Sequence, residues 1–194
     1  MKANRLAALS VLFSLLSASA KTVLVRLFFG LALLTTALTV SPASAQLNID
    51  PTAYYIIRNV GSHKVLDVSN NGCCNGAWVH IWTYEGLANQ QWSIVVVGGG
   101  YYKIEARHSG RVLDVERASM SDGAKIHQWD YEGLANQQWF ISNSGGSSHY
   151  IIARHSGKAL TVSGSLYSNG TLVRQYGPGS WPSLNSQWLL ERVP

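Results

Sequence analysis

Trp82-Thr83-Tyr84-Glu85-Gly86-Leu87-Ala88-Asn89-Gln90-Gln91-Trp92 returns at residues 129–139 with one change, Asp130 for Thr83. So close a repetition makes internal duplication the first question to ask of this chain. Working outward, Leu66-Asp67-Val68 returns as Leu113-Asp114-Val115 and as Leu160-Thr161-Val162, each 47 residues on. Gln91-Trp92 returns as Gln138-Trp139 after 47 residues and as Gln187-Trp188 after 49. The third copy is looser: Tyr176 stands where the others have Trp82 and Trp129, and two extra residues enter the Gly177–Leu184 loop. Residues 54–194 therefore divide into three units, 54–100, 101–147 and 148–194.

Each unit reads as short strands separated by turns. Tyr54–Arg58, Tyr101–Ala106 and Tyr150–Arg154 are apolar and β-prone, and Ser-Gly at 109–110 and 156–157 marks the turn that follows. In the Leu-x-Val triplet, alternation turns Leu66 and Val68 to a core and Asp67 away from it. Gly-Ala or Gly-Thr at 76–77, 123–124 and 170–171 closes a polar loop, followed by Val79-His80-Ile81-Trp82 and Ile126-His127-Gln128-Trp129. No helical stripe of apolar residues occurs after the leader, so the class is all-β. A propeller of this repeat length generally needs at least four blades. Three units point instead to a closed barrel with pseudo-threefold symmetry and a cap. Trp92, Trp139 and Trp188 would meet Leu66, Leu113 and Leu160 in its core. With LDV followed about twenty residues later by QxW in the first two units, and Leu160-Thr161-Val162 and Ser186-Gln187-Trp188 in their places in the third, the chain resembles the ricin-B type β-trefoil lectin family across residues 46–194.

The residues facing away from the core carry the functional reading. Alternation puts His80 and Trp82 on one face of a strand, opposite Val79 and Ile81, and Asn89-Gln90 lies just before Trp92. A carboxylate, an imidazole, a carboxamide and an indole form a donor and acceptor set suited to sugar hydroxyls, with an aromatic plate for the C–H face of the ring. On this reading Asp67 hydrogen-bonds two neighbouring hydroxyls through its charge. Such shallow sites usually bind at millimolar Kd, about −4 kcal/mol. The resemblance implies the same positions: Asp67, His80, Trp82, Asn89 and Gln90 in the first unit, and Asp114, His127, Trp129, Asn136 and Gln137 in the second. Gln90 and Gln137 are read as bracing the loop and orienting the Asp. The third unit keeps Tyr176 and Asn185 but has Thr161, Arg174 and Ser186 in place of the Asp, the His and the first Gln, so its site is expected to be degenerate. Trp78 reads as an ordinary surface or edge residue, and His108 and His155 as solvated turn residues.

Charge and leader bound the partners. The net charge of +5 comes from 15 basic and 10 acidic residues. Lys2, Arg5, Lys21 and Arg26 lie in the first 45 residues, which hold no acid, so residues 46–194 are nearly neutral. A basic pair, the apolar run Leu27–Val40 and Ser41-Pro42-Ala43-Ser44-Ala45 read as a signal peptide cleaved after Ala45, which makes the mature protein secreted or periplasmic. Met1–Ala20 resembles a second leader, as expected if translation really begins near Lys21; the alternative is an anchor that stays uncleaved. The near-neutral mature charge argues against nucleic acid, and cleavage would leave no membrane segment. Cys73-Cys74 allows two loop thiols, a vicinal disulfide or an intermolecular bridge, and no residue spacing suggests a metal site or a cofactor.

A glycosidase needs two carboxyl groups about 5–9.5 Å apart; threefold symmetry separates Asp67 from Asp114, which leaves only the pairs within a lobe, Asp67 with Glu85 and Asp114 with Glu132. The expectation is a secreted carbohydrate-binding protein, not an enzyme. The resemblance implies glycans or polysaccharides of galactose, xylan or arabinan type as partners. The competing reading is a β-trefoil protease inhibitor acting through the Pro178–Pro182 insertion.

Overall fold

The structure is a computed structural model that describes residues 47–178 and 183–194. The leader and most of the Pro178–Pro182 insertion lie outside the described residues. Each repeat contributes four strands: β1 Tyr55–Asn59, β2 Val65–Val68, β3 Val79–Trp82 and β4 Trp92–Gly98 in the first; β5 Tyr101–Ala106, β6 Val112–Val115, β7 Ile126–Trp129 and β8 Trp139–Gly145 in the second; β9 Ser148–Ala153, β10 Ala159–Val162, β11 Val173–Tyr176 and β12 Trp188–Arg192 in the third. The helical pieces around the sites are three-residue 3₁₀ turns, including Ala88–Gln90, Ala135–Gln137 and Leu184–Ser186 just before each core Trp.

The antiparallel pairings close on themselves. β1 pairs β4, β4 pairs β5, β5 pairs β8, β8 pairs β9, β9 pairs β12, and β12 returns to β1. This six-stranded barrel removes the open edges that three isolated units would expose. The last pairing joins the two ends of the domain over five register positions, and the Arg58 guanidinium clasps Glu191 across it with two bonds of 2.7 and 2.9 Å. The hairpins β2–β3, β6–β7 and β10–β11 cap the barrel and meet through the bridges Trp78↔His127, His80↔Leu172 and Lys125↔Arg174. The fold is a β-trefoil.

The core forms as the apolar spacing requires. Trp92, Trp139 and Trp188 are fully buried with Leu66, Leu113 and Leu160. Each indole N–H donates to a leucine carbonyl: Trp92 to Leu66 at 3.0 Å, Trp139 to Leu113 at 3.0 Å and Trp188 to Leu160 at 2.9 Å. A large ring is thereby buried without leaving its polar atom unpaired. The cap is stapled from each repeat to the next. Asn75 takes the Asp130 amide, Asp122 the Gly177 amide and Asn169 the Thr83 amide, at 2.9, 2.8 and 3.1 Å.

The turn histidines depart from expectation. His108 Nε2 lies 2.9 Å from the Gly72 carbonyl and His155 Nε2 3.0 Å from that of Ser119, both partly buried, so they brace the loop of the preceding repeat instead of sitting in solvent. Gln128 works beside His108, donating to the carbonyls of Gly72 and Cys74. Cys73 and Cys74 are exposed free thiols with their sulfurs 3.5 Å apart.

One acid-sensitive group lies in β9. Burial holds the His149 imidazole below its ordinary pKa. The unfolded chain therefore takes up this proton at a higher pH than the folded one, and stability rises with pH through that window. We expect the melting temperature to fall as the pH drops below the ordinary histidine range, and His149→Gln to flatten the decline; an unchanged profile in the variant would contradict this.

Candidate functional site

The first cleft, about 240 Å³, opens beside the β2–β3 hairpin, with Asp67 and His80 at its base. Cross-strand register sets Asp67 opposite His80. His80 Nε2 lies 2.8 Å from Asp67 Oδ1, and since a carboxylate only accepts, this nitrogen carries the proton. Oδ2 accepts from Asn89 Nδ2 at 3.1 Å and from Gln90 Nε2 at 2.9 Å. Trp82 is held beside the imidazole, ring centroids 5.4 Å apart and 23° between planes, with its N–H donating to Glu85 at 3.2 Å. Leu87, half exposed, forms the rim.

The second cleft repeats this plan at about 560 Å³. Asp114 faces His127 at 3.0 Å and accepts from Asn136 through both oxygens at 3.0 Å. Trp129 lies beside His127, centroids 5.3 Å apart, and Glu132 and Leu134 complete the wall.

Three features bear on the sequence reading. Asp67 and Asp114 do turn away from the core, yet each is only 4% exposed, because their own partners cover them. A carboxylate has about four acceptor positions. Three protein bonds leave each Asp room for about one ligand hydroxyl, not two. Gln90 and Gln137 are fully buried and line neither cleft. They brace the loop, accepting from the amides of Glu85 and Glu132 at 2.8 and 2.7 Å; Gln90 also donates to Asp67, whereas Gln137 donates to the Asp130 carbonyl. Asn70 and Asn71, and Arg117 and Ala118, line the clefts from turns with φ between 49 and 56°. Their signal in the sequence is their position just after LDV.

Trp78, read from the sequence as an ordinary surface or edge residue, belongs to a cleft. It comes from the first repeat but lines the second cleft, its ring 5.8 Å from that of His127. The three cap bridges explain this. Position 78 and its counterparts Lys125 and Leu172 each reach a neighbouring repeat, so His127 meets Trp78, Arg174 meets Lys125 and His80 meets Leu172. The second site is thus built across a repeat boundary, whereas first-repeat residues alone line the first cleft, and the added indole accompanies the larger volume of the second. Gly76 shares the boundary: its φ is +86°, and a side chain there would approach Trp129 at 3.9 Å.

The third position is reorganised. Thr161 donates to the Ala159 carbonyl at 3.0 Å and pairs with the Ser186 hydroxyl at 3.0 Å. The Tyr167 hydroxyl donates to Asn185 Oδ1 at 2.7 Å, and Arg174 donates to the Gly123 carbonyl at 2.7 Å. Tyr176 remains half-buried beside it. Among the described residues no group of three or more His, Cys, Asp or Glu could hold a metal ion, and no helix is long and apolar enough to cross a membrane.

Comparison with known proteins places this geometry. The ricin-type β-trefoil lectin domain-like family matches residues 43–129 and 88–176. A designed threefold-symmetric protein, ThreeFoil, is 46% identical over 72% of this chain and 99% of its own, with a TM-score of 0.70. An exo-β-1,3-galactanase from Clostridium thermocellum is 37% identical over 75% of this chain, TM-score 0.70, but this chain spans only 31% of it. The ricin B-like lectin of Macrolepiota procera, solved with lactose, shares the fold at 22% identity and a TM-score of 0.64, over 75% of this chain and 99% of its own. No curated protein matches the chain.

Proposed function

The chain belongs to the ricin-type β-trefoil lectin family, and on that premise we propose that it is a secreted, non-catalytic carbohydrate-binding protein with two sites for uncharged sugars. The observation that carries this reading is the pair of clefts in which a buried Asp fixes an imidazole beside a partly exposed indole. Domain 46–194 is the binding unit and residues 1–45 the export leader. In each site the Asp orients His80 or His127, the remaining carboxylate acceptor takes a hydroxyl, and Trp82 or Trp129 covers the apolar face of the ring.

Catalysis is not assigned. Asp67 and Asp114 are each held by three protein bonds, and the galactanase comparison reaches less than a third of that enzyme. Covering about 40 Å² of sugar gives roughly 1 kcal/mol per indole at ~25 cal/mol per Å². Affinity per site is therefore modest, and gain comes from engaging both sites on one chain or surface.

Galactose-, xylan- and arabinan-type glycans are the ligands to try first. Retention of any of these on an array by the exported chain supports the proposal. An array on which no uncharged glycan is retained would refute it, and protease inhibition by the same sample would favour the inhibitor reading. Trp78 gives a site-specific prediction. Trp78→Ala is expected to weaken the second site several-fold, by roughly 1 kcal/mol of lost apolar cover, and to leave the first unchanged. A two-site calorimetric titration checks it; equal weakening of both sites would contradict the assignment.

A further inference from the structure

We propose that the third repeat carries a site of opposite charge that takes an anionic glycan, its carboxylate or sulfate group held by Arg174. The inference rests on the lectin reading for the sugar and on the third repeat's own geometry for the anion. The register Thr161↔Arg174 is that of Asp67↔His80 and Asp114↔His127. At the same place in the fold, a carboxylate and an imidazole have become a hydroxyl and a guanidinium. The formal charge changes from negative to positive.

The replacement is not an ion pair turned inward. Among the described residues, Arg174 forms no salt bridge; Nη1 donates to the Gly123 carbonyl, which anchors one edge of the guanidinium. The group is partly exposed, and its planar array of donors matches the two oxygens of a carboxylate or sulfate. Lys125 is bridged to Arg174 through the backbone, but its ammonium lies 4.4 Å over the Trp78 ring, so Arg174 is the cation that the third position itself supplies. The nearby carboxylate, Asp122, is already taken by Lys158 at 2.5 Å and by the Gly177 amide at 2.8 Å. The Lys158 hydrogen bond, then that of the amide, holds its pKa below the ordinary range. Tyr176 replaces the Trp as the ring plate, against Gly123. Tyr167 meanwhile occupies the carboxamide oxygen of Asn185, so the polar ligand contact passes from Asn and Asp to Arg. The first site, with a buried Asp and a Glu in its wall, disfavours an anion, and the second sets Asp114, Glu116 and Glu132 against Arg117.

Polygalacturonate and chondroitin sulfate are the probes, titrated into the full chain and its variants. We expect Asp67→Asn/Asp114→Asn to retain anionic binding, Arg174→Gln to lower it by about tenfold or more, and Arg174→Lys to fall between them. Added salt should weaken it throughout. Tighter binding of chondroitin sulfate than of unsulfated chondroitin identifies a sulfate ester, and equal binding of the two, or preference for polygalacturonate, a carboxylate. Lack of binding of both probes by wild type would overturn the proposal, as would binding unchanged in Arg174→Gln or Arg174→Lys. Inorganic sulfate bound as tightly as either polymer would overturn its sugar component. If Arg174→Gln fails to melt cooperatively, Arg174→Lys carries the test. Failure of the neutral-sugar reading is separate: uncharged glycans would go unbound while Arg174-dependent binding persisted.

Discussion

Trp139→Ala is expected to cost about 3–5 kcal/mol, the range for truncating a buried aromatic side chain. Trp139 is fully buried where β5, β8 and β9 converge, paired with Tyr102 on one side and Ala153 on the other. Its removal opens a cavity and also strands the Leu113 carbonyl that its indole satisfies at 3.0 Å. Since small domains are stable by only about 5–15 kcal/mol, a loss of this size brings the chain close to unfolding. Trp139→Phe keeps most of the volume and loses the hydrogen bond, so it should cost less. Urea unfolding followed by far-UV circular dichroism measures both. A loss below about 1 kcal/mol for Trp139→Ala would mean that the shared core is not built around these rings.

The second large effect is on binding. Asp67→Asn/Asp114→Asn preserves side-chain shape but removes the charge and turns one acceptor into a donor, facing His80, Asn89 and Gln90 in the first site and His127 and Asn136 in the second. Hydrogen bonds to charged groups are worth about 1.5–3 kcal/mol, so each site should lose at least about tenfold in affinity. From a millimolar start, that removes detectable binding of uncharged glycans. The same change leaves a buried donor conflict, so a fall of about 1–3 kcal/mol in stability is expected alongside. Calorimetry and a melt on one sample separate the two effects. Retained glycan binding in a folded double variant would remove the Asp residues from the sites.

Much of the fold is legible in the sequence because a repeated Leu-x-Val and a repeated Gln-x-Trp constrain where core side chains recur. Alternation alone places Leu66, Val68, Val79 and Ile81 inward, and the structure buries all four. Alternation also turns Asp67 from that core, but it says nothing of what lies on the other face. The covering of Asp67 by His80, Asn89 and Gln90 depends on a hairpin and a 3₁₀ turn closing over it. Trp78 was hidden for a similar reason. Sequence spacing compares it with Lys125 and Leu172, which share no chemistry, whereas its working neighbour is His127 in the next repeat. His108 and His155 sit in turns by sequence, and only the fold brings the carbonyls of Gly72 and Ser119 to them.

The indole N–H groups give the most direct test of two sugar sites on this scaffold. Seven tryptophans each give an assignable ¹H–¹⁵N signal. When the best-retained uncharged glycan is titrated in, Trp82 and Trp129 should shift first, with Trp78 following Trp129. Trp92, Trp139 and Trp188, locked onto leucine carbonyls in the core, should stay in place. Binding that leaves both Trp82 and Trp129 unmoved would contradict the assignment of these clefts.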